Sequence, residues 1–337
     1  MKKILFVFTV ALLAVSCSQE KKEYTLAFYN VENLFDTIND PNTWDDDFTP
    51  EGKLEYSSKR YENKLLHLSE VLSSINKKEL PAIIGLCEIE NRSVLEDLIS
   101  QKKLKKGDYS IVQTDSPDGR GIDCALLYQK STFKALSQNF IGIHIPTEPN
   151  YKTRDILHVK GVFAAKDTLD IFVNHWPSRR GGMKESEKYR VFVATQLKKA
   201  VDQIQKKNLN ANIIIMGDFN DEPTNKSAEE ILCATNNKDT SKPEALYNLM
   251  YDLKMQGKGS YNYRGNWNML DNIIVSNSLL SNTNGLHTNH QNGKIFTEKW
   301  ICYQNEDGTY VPSRSYSGPK YYGGYSDHFP VYFQLGY

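Results

Sequence analysis

From Tyr24 to the C-terminus, short apolar runs alternate with longer stretches whose apolar residues recur every three or four positions. The short runs are rich in Ile, Val, Phe and Tyr and are bounded by Gly, Asp, Asn or Pro. That pattern predicts strands over 25–31, 82–87, 110–114, 124–128, 157–164, 169–173, 213–216, 272–275 and 331–334. Helices are predicted over 57–74, 93–101, 184–206 and 227–234. In the first of these, Leu65, Leu68, Leu72 and Ile75 build one apolar face; in the third, Val191, Ala194, Leu197, Val201 and Ile204 do the same. The stretch 291–325, rich in Gly, Tyr and Ser, reads as a long loop with room for a hairpin. No repeat, low-complexity linker or composition break divides the chain, so the pattern predicts one layered α/β domain over 24–337.

The first residues read differently. Lys2 and Lys3 precede an apolar run from Ile4 to Val15, too short to span a bilayer, which ends in Ser16-Cys17. This resembles a bacterial lipoprotein signal peptide, with residues 1–16 removed, Cys17 lipidated and 17–23 a polar tether. An ordinary signal peptide cut near Ser16 is the plainer alternative. Either way the expected location is the bacterial envelope, lipid-anchored under the first reading, on its periplasmic or outer face.

The chain carries 41 Lys+Arg and 41 Asp+Glu, a net charge of zero. That excludes a strongly basic nucleic-acid coat protein but leaves room for an enzyme with a local basic cleft. The 39% hydrophobic content supports a sizeable core and excludes a disordered chain. Cys87, Cys124, Cys233 and Cys302 fit no zinc spacing; Cys87 and Cys124 sit in apolar runs and read as small buried residues, with one disulfide open as an alternative in an envelope compartment.

Chemistry-bearing residues gather at strand ends. Asn30 and Glu32 close the first predicted strand, Glu88 the second, His175 another and Asp218-Phe219-Asn220 a fourth. Asp271 opens a fifth, and Asp327-His328 precedes the last. Alternation puts Asp218 and Asn220 on one side. Any one of these is an ordinary turn or cap residue; six such sites together are hard to read as caps. Carboxylate and amide oxygens without Cys/His ligand spacing suit a hard cation, Mg²⁺, Mn²⁺ or Ca²⁺. Two histidines beside it suit acid/base work on a phosphate ester.

The ordered set Asn30, Glu88, His175, Asp218-Phe219-Asn220, Asp271 and Asp327-His328 resembles the endonuclease/exonuclease/phosphatase superfamily. The group spans pancreatic-type deoxyribonuclease, abasic-site endonucleases, neutral sphingomyelinases and inositol-polyphosphate 5-phosphatases. The resemblance implies a four-layer α/β sandwich, two mixed sheets face to face with helices outside, and a groove at one edge fed by strand ends. It also implies roles. Glu88 holds the metal, with Asn30 and Asp327; Asp218 aligns or deprotonates water; Asn220 bonds the phosphate. His328, oriented by Asp271, and His175 contact the phosphate and share the acid and base roles in an order left open. Asp123 would pair with His175, or be a turn carboxylate; Glu32 would support the metal. Arg120 and Arg154 match phosphate-contacting arginines of the deoxyribonuclease branch. Cys87 stands where many members have Gln, Arg154 where the abasic-site branch has Tyr, and Glu90 is a rival to Glu88 if the register slips.

His175-Trp176-Pro177-Ser178-Arg179-Arg180-Gly181-Gly182 puts Arg179 and Arg180 next to the histidine, which suits a polyanion backbone. Trp267 would stack a base or pack under its loop. The expected function is a divalent-metal-dependent phosphodiester hydrolase, a nuclease first, with a phospholipid or sugar-phosphate phosphoesterase and a non-catalytic binding lipoprotein as alternatives. Expected partners are a nucleic acid or other phosphodiester and the membrane, with no obligate protein partner and a monomeric state. With zero net charge, nucleic-acid affinity must come from the Arg120, Arg154, Arg179 and Arg180 cleft and be strongly salt-dependent.

Overall fold

The structure, a computed structural model, describes residues 22–282 and 284–337. The expected signal peptide and Cys17 lie outside them. Four strands come first: β1 (Glu23–Leu34), β2 (Ile83–Ile89), β3 (Tyr109–Gln113) and β4 (Asp123–Gln129). Then follow β5 (Phe133–Ile141), β6 (Ile156–Phe163), β7 (Asp167–His175), β8 (Ile213–Asp218), β9 (Ala234–Thr235) and β10 (Leu246–Asn248). A hairpin of β11 (Tyr261–Tyr263) and β12 (Asn266–Asn268) precedes β13 (Asp271–Ser276) and β14 (Lys294–Ile295). Two more small hairpins, β15 (Cys302–Gln304) with β16 (Tyr310–Pro312) and β17 (Tyr316–Ser317) with β18 (Lys320–Tyr321), lead into β19 (Val331–Gly336). The longer helices are α1 (Ser58–Ser74), α2 (Arg92–Ser100) and α3 (Met183–Lys207).

One six-stranded sheet runs β14-β19-β1-β2-β4-β3; one seven-stranded sheet runs β5-β6-β7-β8-β13-β10-β9. Both are mixed. β1 and β2 are parallel, as are β7 and β8. Parallel neighbours need a long crossover, and α1 and α3 supply those two. Alternation along the strands then sorts three cores. Leu26, Phe28, Ile214, Met216 and Ile273 face the opposing sheet. Ala27, Tyr29, Ile84 and Leu86 pack on α1 and α2, and Ile213 and Ile215 pack on α3. The result is the expected four layers. Strands covered on both faces read as unbroken apolar runs, as Ile213–Met216 does. Each fully buried Leu, Ile or Phe contributes about 1.5–3 kcal/mol. Close sheet contact requires Gly85, where a Cβ would sit 2.5 Å from Met216 Sδ.

All nine predicted strands form. β5 was not predicted because it is an edge strand with an exposed centre, Ser137-Gln138-Asn139, and no apolar alternation. The helix expected over 227–234 is only a single π-type turn, Ser227–Ile231, with Cys233 in the left-handed region at φ +58°. The stretch expected as a loop holds the two small C-terminal hairpins. Cys87 and Cys124 are buried, free thiols. No described helix is long and apolar enough to cross a membrane.

Candidate active site

Ladder register on the second sheet assembles half of the site. His175 ends β7 beside Asp218, which ends β8, and Asp271 opens β13 beside Asp218 on its other flank. Gly217 keeps this corner tight; a Cβ there would lie 2.4 Å from the Asn174 carbonyl oxygen. His328, just before β19, reaches over from the first sheet. Its Nδ1 is 2.7 Å from Asp271 Oδ2 and its Nε2 is 3.8 Å from Asp218 Oδ2. His175 Nε2 lies 3.7 Å from the same Asp218 oxygen. Asp218 Oδ1 accepts from the Asn220 N–H at 2.8 Å, and Oδ2 accepts from Asn30 Nδ2 at 3.0 Å.

The two histidines differ electrostatically. Burial alone would lower His328, but the Asp271 and Asp218 carboxylates outweigh it and hold this imidazole well above its ordinary value. Burial, with Arg154, Arg120 and charged His328 nearby, pushes His175 well below. These directions favour a charged His328 and a neutral His175, whose buried Nδ1 has no hydrogen-bond partner among the described residues. Burial raises Asp218 to about 7, with Asp271 adding to the rise and His328 opposing it.

The other half comes from the first sheet, where the ladder breaks. Register shifts fall between Asn30 and Leu34 and between Cys87 and Ile89. Glu32, Asn33 and Glu88 have φ of +52°, +59° and +63°. Leu86 and Ile89 both pack toward the helices, so Glu88 is the bulge residue, turned out of the alternation and into the groove. Its Oε2 accepts from the Asn33 N–H at 3.0 Å, and its Oε1 is 3.9 Å from His175 Nε2. Ser326 ties the halves together: its hydroxyl donates to the Asn30 carbonyl and accepts from the His328 N–H. Glu32 Oε2 accepts from the Ser315 N–H at 2.6 Å and lies 3.7 Å from buried Lys64. Burial and Asp327 raise Glu32 to about 7, against the pull of Lys64.

Two cavities, of about 500 and 310 Å³, meet at Glu88 and Asp327, which line both. The larger holds His175, Asp218, Asn220 and His328, with Arg120 and Tyr261 on its wall. The smaller holds Tyr56, Arg60, Lys64, Arg314, Tyr316 and Tyr321. The carboxylates of Glu88 and Asp327 line both cavities, and such oxygen donors suit a hard divalent cation; the Asn30 amide oxygen accepts from the Glu32 N–H at 3.0 Å. Asp218, Asp271 and His328 also bring ligand-type atoms within 4.8 Å of one another. There, however, Asp271 and His328 Nδ1 are already hydrogen-bonded to each other, which suits proton handling better.

Several expected residues stand elsewhere. Arg120 is half-exposed on the groove wall, 3.4 Å from Asp118. Arg154 is buried behind it, 2.9 Å from Asp118 Oδ2, and donates to the Trp176 carbonyl at 2.6 Å; it does not face the groove. Arg179 lines the groove, but its donors hold the Asn220 carbonyl, Asn268 and Asn225. Arg180 is exposed. Asn220 itself donates through Nδ2 to the Trp176 carbonyl, with φ at +48°. Asp123 accepts from Gln113 and the Ser116 N–H and is raised to about 7 by burial, so it does not partner His175. Trp267 stacks on Phe329 at 5.8 Å and lines a different cavity behind the β11–β12 hairpin. Glu90 accepts from the Asp36 N–H and points away from the groove, which leaves Glu88 as the groove carboxylate.

The sequence reading gave no role to Lys64, Ser326, Arg314 or Tyr261, whose ring lies 4.8 Å from that of His328. It also missed Arg190, fully buried and 2.7 Å from Asp221, which fixes the start of α3 to the loop after Asn220. Only Ser326 carried a signal, its place beside Asp327-His328.

Comparison with known proteins places the fold and the family. A profile of the endonuclease/exonuclease/phosphatase family matches residues 25–336. No curated protein matches the sequence. Among solved structures, a humanized TDP2 of D. rerio is similar at TM-score 0.57 and 15% identity, over 93% of this chain and 98% of that one. A mannosyl-6-phosphatase of Bacteroides thetaiotaomicron is similar at 0.56 and 18%, over 93% and 99%. The human Nocturnin catalytic domain with bound sulfate is similar at 0.54 and 17%, over 94% and 97%. At these identities the structures speak for the fold, while the sequence match spans nearly the whole described chain, which belongs to the endonuclease/exonuclease/phosphatase family of phosphoester hydrolases.

Proposed function

We propose that the protein is a divalent-metal-dependent phosphodiester hydrolase, a nuclease acting in the bacterial envelope. One observation carries the hydrolase reading: Asp218 Oδ2 lies 3.7 and 3.8 Å from the Nε2 atoms of His175 and His328, whose surroundings push their protonation in opposite directions. A diester has two substituents on phosphorus, and the two cavities that meet at Glu88 and Asp327 give each a place.

A cation held by Glu88, Asp327 and Asn30 would neutralise phosphate charge. Asp218, fixed by Asn220 and Asn30, takes the proton of the attacking water; its raised value matches it to that task near neutral pH. His328, kept charged and oriented by Asp271, gives its proton to the leaving oxygen as the bond from phosphorus to that oxygen breaks. His175, neutral, offers a hydrogen bond without repelling His328. Asn220 has one amide hydrogen on Trp176 and a second for the phosphate. Of the four arginines expected to meet a polyanion, Arg120 and Arg180 are the ones exposed to it.

A second reading is a sugar-phosphate phosphatase. The withdrawal of Arg154 and Trp267 from the groove favours it, because fewer groups remain there to grip a long strand. A cleavage panel separates the two: plasmid and single-stranded DNA, bis(4-nitrophenyl) phosphate, sphingomyelin, inositol phosphates and mannose 6-phosphate, with Mg²⁺ or Mn²⁺ titrated against chelator. Cleavage of DNA and the small diester is expected. Turnover of monoesters alone, or undiminished cleavage by Glu88→Ala, would overturn the nuclease reading. Anchoring through a lipid on Cys17 predicts fatty-acid labelling that Cys17→Ala abolishes.

A further inference from the structure

The cavity behind the β11–β12 hairpin, about 730 Å³, is larger than the catalytic one. Tyr261, Tyr263 and Asn268 of the hairpin face the catalytic groove, while Trp267 turns the other way, as alternation requires. Trp267, Tyr310, Phe329 and Tyr332 supply four aromatic rings to this second cavity. Lys258, Lys294 and Lys299 supply three cations, and among the described residues no carboxylate lines it; Glu298, next in sequence to Lys299, does not.

In a chain of zero net charge that imbalance is local and specific. Lys294 lies over the Tyr332 ring at 5.8 Å and Lys299 over Tyr310 at 5.6 Å. None of the three lysines has an ion-pair partner among the described residues. Rings that hold uncompensated ammonium groups around a concavity match a ligand that alternates flat bases with anions. A bilayer surface fits poorly, because Phe329 is buried and Trp267 is set back behind the hairpin.

We propose that this cavity is a second binding site for single-stranded nucleic acid, taking the part of a strand that passes over the hairpin from the catalytic groove. The proposal rests on the nuclease reading for its substrate class. It explains how a groove with few free arginines holds a strand: grip and cleavage are divided between the two faces of one hairpin. Phe329, which floors the second site, directly follows His328 in the chain, so the two sites share a wall.

The test uses the full mature chain with Mg²⁺ and a short fluorescent phosphorothioate DNA strand, which resists cleavage. Replacing Lys258, Lys294 and Lys299 by Glu together should weaken binding at least ~10-fold and flatten the salt dependence, by roughly 2 in log–log slope for three single-strand phosphate contacts. Tyr310→Ala, an exposed position, should weaken binding ~5-fold by loss of stacking. Turnover of bis(4-nitrophenyl) phosphate should stay within about twofold of wild type in both, since a small diester needs only the catalytic cavity. Unchanged strand affinity and salt slope would overturn the proposal, as would lost binding to anionic vesicles with strand binding intact. If wild type cleaves no diester yet its strand binding still depends on the three lysines, the second site stands and the nuclease reading falls.

Discussion

On the second sheet, His175, Asp218 and Asp271 face one another in unbroken register; on the first, Glu32, Asn33 and Glu88 sit where the ladder breaks. Adjacent ladder positions fix Cβ separations near 4.5–5.5 Å, the spacing that proton-exchanging side chains need. The broken sheet does something else. Its bulges turn Glu88 out of alternation toward Asp327, and the left-handed residues cost on the order of 1–3 kcal/mol each unless their surroundings over-determine them. Here the Asn33–Glu88, Glu32–Ser315 and Ser326–Asn30 hydrogen bonds do so. In the proposed mechanism, regular backbone would carry the proton-exchanging groups and irregular backbone the carboxylates for a cation.

The sharpest way to break this division is to remove one member of each half. Glu88→Ala should lower kcat about a thousandfold with Mg²⁺ present. The thermal unfolding midpoint should fall by only a few degrees, because the lost carboxylate removes one bulge hydrogen bond, worth about 1.5–3 kcal/mol. Asp271→Asn should lower kcat about a hundredfold and change the pH profile. His328 acts while protonated, and its raised value keeps it so through neutral pH. Without the carboxylate the imidazolium is lost at lower pH, so the basic limb of the kcat profile moves toward acid. An unmoved basic limb would remove His328 from the acid role.

Two arginines sharpen the comparison between groove and support. Arg154→Ala breaks a buried ion pair and should cost about 3–5 kcal/mol of stability, read by urea unfolding. Arg120→Ala should leave stability alone and raise KM about tenfold, the size of one charge-assisted hydrogen bond.

The smallest effect tests the burial of acids beside the bulges. Glu90 is raised to about 8, chiefly by burial, with Asp36 and Asp45 adding to it. An acid raised in the folded state supports folding below its unfolded value near 4.5 and loses that support as pH climbs toward 8. Glu90→Gln should melt roughly a few degrees higher than wild type at pH 9, with the gain shrinking to nothing near pH 4.

Much of this was legible in the sequence. Strand interiors announce themselves because both faces are buried, and the polar residues that end them mark the catalytic edge. Side-chain direction was not legible. Alternation says that Trp267 and Asn268 point oppositely but not which meets the groove. Nothing local distinguishes Arg154, folded under the loop, from Arg120 on the wall. Lys64 was hidden inside a helix read for its apolar face, and its partner Glu32 comes from a segment whose bulge no periodicity reveals.

β1 carries one further meaning. Glu23 pairs with Gly336 at one pole, where the Tyr337 N–H also reaches the Lys22 carbonyl, and Asn30 stands at the other. Seven strand residues at about 3.3 Å each make a stand-off of roughly 23 Å. Both ends of the described chain therefore leave from the pole opposite the groove. A tether at either end would hold the enzyme with its mouth turned outward, toward whatever diffuses past rather than toward the surface that holds it.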